Sequence, residues 1–121
     1  MPNNPHTSPI AWRDWDEQVF QTAQAEGKPL LLSLTATWCH VMGKTSYSDQ
    51  RVIDMVNDRF IPVRVDVDQR PDLSARYNQG GFPSVAFLDT DGQTISGSVY
   101  TPPGEMLKLL ERVSDAYPYL A

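Results

Sequence analysis

Cysteine is nearly absent: the 121-residue chain has a single one, Cys39. An intramolecular disulfide is therefore excluded, as is a zinc site built on several thiolates. Positive charge is also scarce, ten Lys and Arg against fifteen Asp and Glu for a net charge of −5. That balance argues against nucleic acid or an anionic membrane as the main partner, because both demand clustered cations. Long apolar runs are missing too, and Ser33 breaks the best of them, so no segment is expected to span a bilayer. Residues 1–9, with His6 as a solvated side chain, lack a basic start and an apolar stretch, so no secretory signal is expected. The location implied is cytoplasmic. Neither an internal repeat nor a low-complexity segment is present.

What remains has the composition of a folded domain, 40% hydrophobic and 21% charged. A chain of this length buries about two-thirds of its unfolded surface and needs no disulfide staple. The reading is one domain over residues 12–121, preceded by a flexible lead-in at 1–11.

Trp15, Val19, Phe20 and Ala23 share one helical face, with Asp14 or Asp16 as cap and Gly27 as stop. Residues 30–34 form a short, continuously apolar run, the pattern of a strand covered on both faces. Val52, Ile53, Val56 and Phe60 mark a second helix capped by Ser48 or Asp49. Residues 61–68 alternate, with Val63, Val65 and Val67 on one face. Asp72 is the expected cap of a short helical turn reaching Tyr77. Residues 84–88, the turn Asp89-Thr90-Asp91-Gly92 and residues 93–99 read as a hairpin. Gly104 is expected to precede a final helix bearing Met106, Leu107, Leu110 and Val113.

The order is helix, strand, helix, strand, hairpin, helix. It predicts an α/β fold with a mixed central sheet and helices on both faces. Residues 30–34 should lie centrally, flanked by 63–68 and 85–88, with the last hairpin strand at an edge.

Two short stretches carry chemistry. Trp38-Cys39 directly follows the buried strand and precedes a helix start, where unsatisfied N–H groups and the helix dipole favour a thiolate. His40, if protonated and facing the sulfur, would add to that. The alternative is a buried, inert cysteine, a common fate of free thiols. Gly80-Gly81-Phe82-Pro83 stands immediately before the next apolar strand. Trp12 and Trp15 read as packing residues beside the sheet. Cys39, His40 and Met42 are soft-metal ligand types, but adjacent residues rarely converge on one ion, so no metal is assigned. Asp66, Asp68 and Asp72 read as a strand end and a helix cap. Asp89 to Gly92 lacks the later Glu of a calcium loop and reads as a turn. No cofactor is expected.

The layout, the strand-Ala36-Thr37-Trp38-Cys39 stretch and Gly81-Phe82-Pro83 before a strand resemble thioredoxin. A closer resemblance is to the thioredoxin-like N-terminal domain of the spermatogenesis-associated protein 20 family. It rests on Trp12-x-x-Trp15 with Phe20 and Ala23, on Lys28-Pro29-Leu30, and on Cys39-His40-Val41-Met42. It continues through residues 65–72, Tyr77, residues 80–83 and Ser98-Val99-Tyr100-x-Pro102.

The resemblance implies a thioredoxin-like fold and thiol–disulfide character. It assigns Cys39 and His40 to catalysis, and Trp38, Phe82 and Pro83 to substrate binding through a cis Phe82–Pro83 bond close to Cys39. It also implies that Ser33 stands where thioredoxins carry a buried acid. The chain departs from the family's W-C-H-W-C-H-V-M pattern, being shorter by one C-x-x step, with Met42 at the resolving position. Loss of three residues predicts a late or distorted helix after Trp38, about 4.5 Å being taken up between His40 and Lys44. With one thiol, resolution of a mixed disulfide falls to an external thiol such as glutathione. The rival expectation is a thioredoxin-fold module that binds a peptide or protein without turnover.

Overall fold

The computed structural model describes residues 9–35, 46–81, 84–99 and 101–120. Helix α1 (Glu17–Glu26) starts where the Asp16 carboxylate accepts the Val19 N–H, and stops at Gly27 with φ 66°. A left-handed residue ends a helix at no steric cost only when it is glycine. Strand β1 (Leu30–Thr35) follows, then a single 3-10 turn (Ser46–Ser48). Helix α2 (Gln50–Arg59) is capped by Asp49, whose carboxylate accepts the Arg51 N–H at 2.9 Å. Strand β2 (Ile61–Asp66), helix α3 (Pro71–Tyr77), strands β3 (Ser84–Leu88) and β4 (Thr94–Ser98), and helix α4 (Pro103–Leu120) complete the order.

The four strands form one sheet in the order β2-β1-β3-β4. β1 and β2 run parallel, while β1 with β3 and β3 with β4 are antiparallel. Central β1, its two expected neighbours and the hairpin strand at the edge are as the patterning predicts.

Period-two alternation sends β1 into two cores. Leu30, Leu32 and Leu34 pack with Val19 and Ala23 of α1, Leu73 and Tyr77 of α3, and Ile61, Val63 and Val65 of β2. Leu31 points the other way, among Val52, Ile53 and Val56 of α2, Phe87 of β3, and Met106, Leu110 and Val113 of α4. This two-sided burial is why the run is continuously apolar. Trp12 and Trp15 serve different cores, Trp12 the α2/α4 side and Trp15 the α1/α3 side.

Several boundaries differ from expectation. Packing is already present upstream of Trp12: Ile10 is buried, and Asn57 bonds both the Pro9 carbonyl and the Ala11 N–H. Arg13 pairs with Val63, exchanging backbone bonds with Pro62 and Arg64, and so covers the β2 edge. β2 ends at Asp66 because the chain turns there: the Asp66 carbonyl accepts from Gln69 and Arg70, and its carboxylate from the Asp68 N–H. Asp72 is not the cap of α3. Pro71 takes the first helical position and makes Arg70 the cap residue, leaving Asp72 in the first turn. Gly104 lies inside the first turn of α4 rather than ahead of it, since the helix begins at Pro103 and the Met106 N–H already bonds the Pro102 carbonyl.

Candidate functional site

Cys39, His40, Trp38, Met42, Phe82 and Pro83 lie outside the described residues, as do the expected late helix after Trp38 and the expected cis bond. The described flanks locate the ends of both segments. Leu34 faces Ser84 across the antiparallel β1–β3 pair. The chain therefore leaves β1 after Thr35 and enters β3 at Ser84 at one and the same end of the sheet. That end holds the carboxyl termini of the parallel strands β1 and β2, where open α/β sheets place their ligands.

The flank before β3 is braced by side chains. The Asn78 carboxamide oxygen accepts the Gly80 and Gly81 N–H groups at 2.6 and 3.1 Å. Gly80 has φ 107°, a conformation open to glycine. The Ser84 hydroxyl, fully buried, accepts the Gln79 N–H at 3.1 Å and donates to the Gly81 carbonyl. Gln79 in turn donates to the Tyr77 carbonyl at 2.9 Å. Its carboxamide lies over Gly97 of β4, where a Cβ would overlap it.

The flank after residue 45 is fixed from the α2/α4 side. Tyr47, in the 3-10 turn, meets Trp12 edge-on with ring centroids 5.0 Å apart. The Arg64 guanidinium stands 5.4 Å over the other ring of the pair, that of Trp12. The Tyr47 hydroxyl lies 3.5 Å from the Ser33 hydroxyl, a long hydrogen bond. Burial pushes the Tyr47 phenol up to about 12, partly offset by Ser33. Ser33 itself is 2% exposed. Tyr47 and Arg64 were not singled out by the sequence patterning. The signal that points to them is Ser33, a polar residue at a buried strand position that demands a partner.

Of the carboxylates weighed as ligands, those of Asp66, Asp72 and Asp89 are otherwise occupied. Asp72 pairs bidentately with Arg70, which holds its carboxyl below the usual range. Asp89 accepts the Asp91 and Gln93 N–H groups and closes the hairpin turn. Among the described residues, no three His, Cys, Asp or Glu side chains cluster as metal ligands. Nor is any helix among them long and apolar enough to cross a membrane.

A family model described as "Protein of unknown function, DUF255", the DsbH-type thioredoxin family, matches residues 3–118. The chain belongs to this family. An uncharacterized Caenorhabditis elegans protein is 36% identical over 109 residues, covering 81% of this chain and 15% of that protein. Rat spermatogenesis-associated protein 20 is 32% identical over 111 residues, 83% of this chain and 14% of that one. The chain thus spans about one-seventh of the length of these relatives. The Campylobacter jejuni thiol:disulfide interchange protein DsbD is 27% identical over 101 residues, 78% of this chain and 18% of that protein. Among solved structures, a DsbH oxidoreductase superposes with TM-score 0.74 at 19% identity, covering 98% of this chain and 92% of the other. A Thermus thermophilus thioredoxin gives 0.76 at 23%, covering 92% and 93%. The fold is therefore thioredoxin-like, and the DsbH-type family links the chain to disulfide proteins at the family level.

Proposed function

We propose that this DsbH-type domain carries out thiol–disulfide exchange through Cys39 as its single thiol. The observation that supports the reading is the Leu34–Ser84 register: β1, which Cys39 follows in sequence, finishes at the same end of the sheet where β3, which Phe82-Pro83 precedes in sequence, begins. In the first step the Cys39 thiolate attacks one sulfur of a disulfide, forming a mixed disulfide and expelling the other sulfur as a thiolate. A second, external thiolate then attacks the mixed disulfide, takes over the bound sulfur and releases the Cys39 thiolate. No electrons are gained or lost overall; one disulfide is exchanged for another. Glutathione suits the external role because the chain has no second cysteine.

In this reading His40 favours the thiolate, Trp38, Phe82 and Pro83 line the substrate groove, and Met42 occupies the resolving position. The domain takes in the packed Ile10 ahead of residue 12 and works in a reducing, cytoplasmic setting. The absence of a second thiol also favours a rival role, binding a peptide in the same groove without turnover. Incubation with oxidised glutathione separates the two. The expected result is one glutathionyl adduct by intact mass, absent from Cys39→Ser and reversed by reduced glutathione. A chain that stays unmodified under those conditions supports the binding module instead.

A further inference from the structure

We infer that a second copy of this chain docks on the outer edge of β4, by antiparallel pairing of the two β4 strands. The inference is independent of the exchange reading. The sheet has two edges, and the chain treats them differently. The β2 edge is covered: the Arg13 N–H donates to the Pro62 carbonyl at 3.0 Å, and the Arg13 carbonyl accepts the Arg64 N–H at 3.1 Å. β2 itself carries Pro62, Arg64 and Asp66. A covering segment, a proline and charges are devices by which edge strands escape pairing. β4 has none of these. Its residues pair with β3 alone, and no other backbone bond reaches them among the described residues. The register shift between Phe87 and Leu88 touches only the Thr94 end, leaving Ser96, Gly97 and Ser98 in step with Phe87, Ala86 and Val85.

Charge decides which occupant this edge fits. With a net charge of −5, two copies repel unless they meet where neither is charged. Residues 92–104 contain no Asp, Glu, Lys or Arg, and β4 lies inside that stretch. Val99 follows β4 directly and is the large apolar side chain left open among the described residues, 40% exposed. The strand is also self-complementary. A two-fold axis at Gly97 sets Ser96 of each copy opposite Ser98 of the other. Both serines lie on one face, since they pair with Phe87 and Val85, which share a core. The opposed residues are thus small and uncharged, and they bring neither bulk nor repulsion against the new ladder. Such an interface is isologous and closes at the dimer. With one five-residue strand from each copy it is small, so the dimer is weak.

Sedimentation equilibrium of the full chain from about 10 μM to about 1 mM tests this, the range expected of so small an interface. The mean mass should climb from 13.6 kDa towards twice that value and stop there. Amide exchange of residues 94–98 should slow over the same range, while that of residues 61–66 stays constant. Two variants each add one positive charge, Ser96→Lys on the edge and Gln21→Lys on the exposed side of α1. Ser96→Lys should move the association midpoint about tenfold higher in concentration, because it sets like charges across the ladder. Gln21→Lys should associate as the wild type does. A wild type that stays at the monomer mass at the highest concentration would overturn the dimer and leave the edge to a foreign strand. A mass that passes the dimer, an unshifted Ser96→Lys or an equal loss in Gln21→Lys would each overturn it too. Thermal melting checks folding; if Ser96→Lys does not fold, Thr94→Lys, at the exposed start of the same strand, makes the same comparison.

Discussion

The Tyr77 hydroxyl donates a buried 2.6 Å hydrogen bond to the Gly92 carbonyl, tying helix α3 to the turn of the β3–β4 hairpin. The turn lies at the end of β3 opposite Ser84, so one residue of α3 governs the end of the sheet remote from the candidate site. Tyr77→Phe keeps the ring contacts with Trp15 and Arg76 but leaves the carbonyl without its partner. A loss of about 1–2 kcal/mol in urea unfolding is expected. An unchanged midpoint and slope would show that the bond contributes nothing.

Alkaline pH should titrate the buried Tyr47 phenol beside Ser33. An unfolded tyrosine ionises near 10, whereas Tyr47 holds its proton up to about 12. Its folded value is raised, so the associated stability is complete below about pH 10 and is lost as pH climbs through 12, at most about 2–3 kcal/mol. Tyr77 is also pushed up by burial, so tyrosinate absorbance of the wild type will contain more than one late component. Tyr47→Phe should remove one of them and flatten the fall of stability above pH 10. Identical alkaline curves would place the phenol in water.

Ser84→Ala should loosen the flank before β3 while sparing the hairpin turn. It removes the acceptor of the Gln79 N–H and the donor to the Gly81 carbonyl. About 1 kcal/mol of stability should go with it, together with faster amide exchange in residues 79–81. Exchange at residues 89–92 should stay as in the wild type. Loosening spread evenly over both ends would contradict a local brace.

The sequence carries most of this fold because few alternatives satisfy it. Leu30 to Leu34 must be covered on both faces, which demands helices on each side of a central strand. Asp16 and Asp49 cap as expected because each stands one residue ahead of an amphipathic face. Asp72 misleads because Pro71 beside it fixes the helix start by its ring, whatever the carboxylate prefers. Gly104 misleads likewise next to Pro103. The fold of the candidate site was legible as an address, a strand followed by Trp38-Cys39 and a Gly-Gly-Phe-Pro before the next strand. The partner of Ser33 was not, because Tyr47, with Trp12 and Arg64 stacked behind it, comes from a distant stretch and meets Ser33 only when the sheet forms. Ile10 was hidden for the same reason, since a lone apolar residue has no period to reveal its face.

Because Cys39 is the only thiol in the chain, its alkylation rate as a function of pH is the most direct test of thiol–disulfide exchange. The account predicts a midpoint near 7 or below, the range of thiolates favoured by a helix start or a neighbouring cation. A midpoint near 8.5, that of a free cysteine, would contradict it.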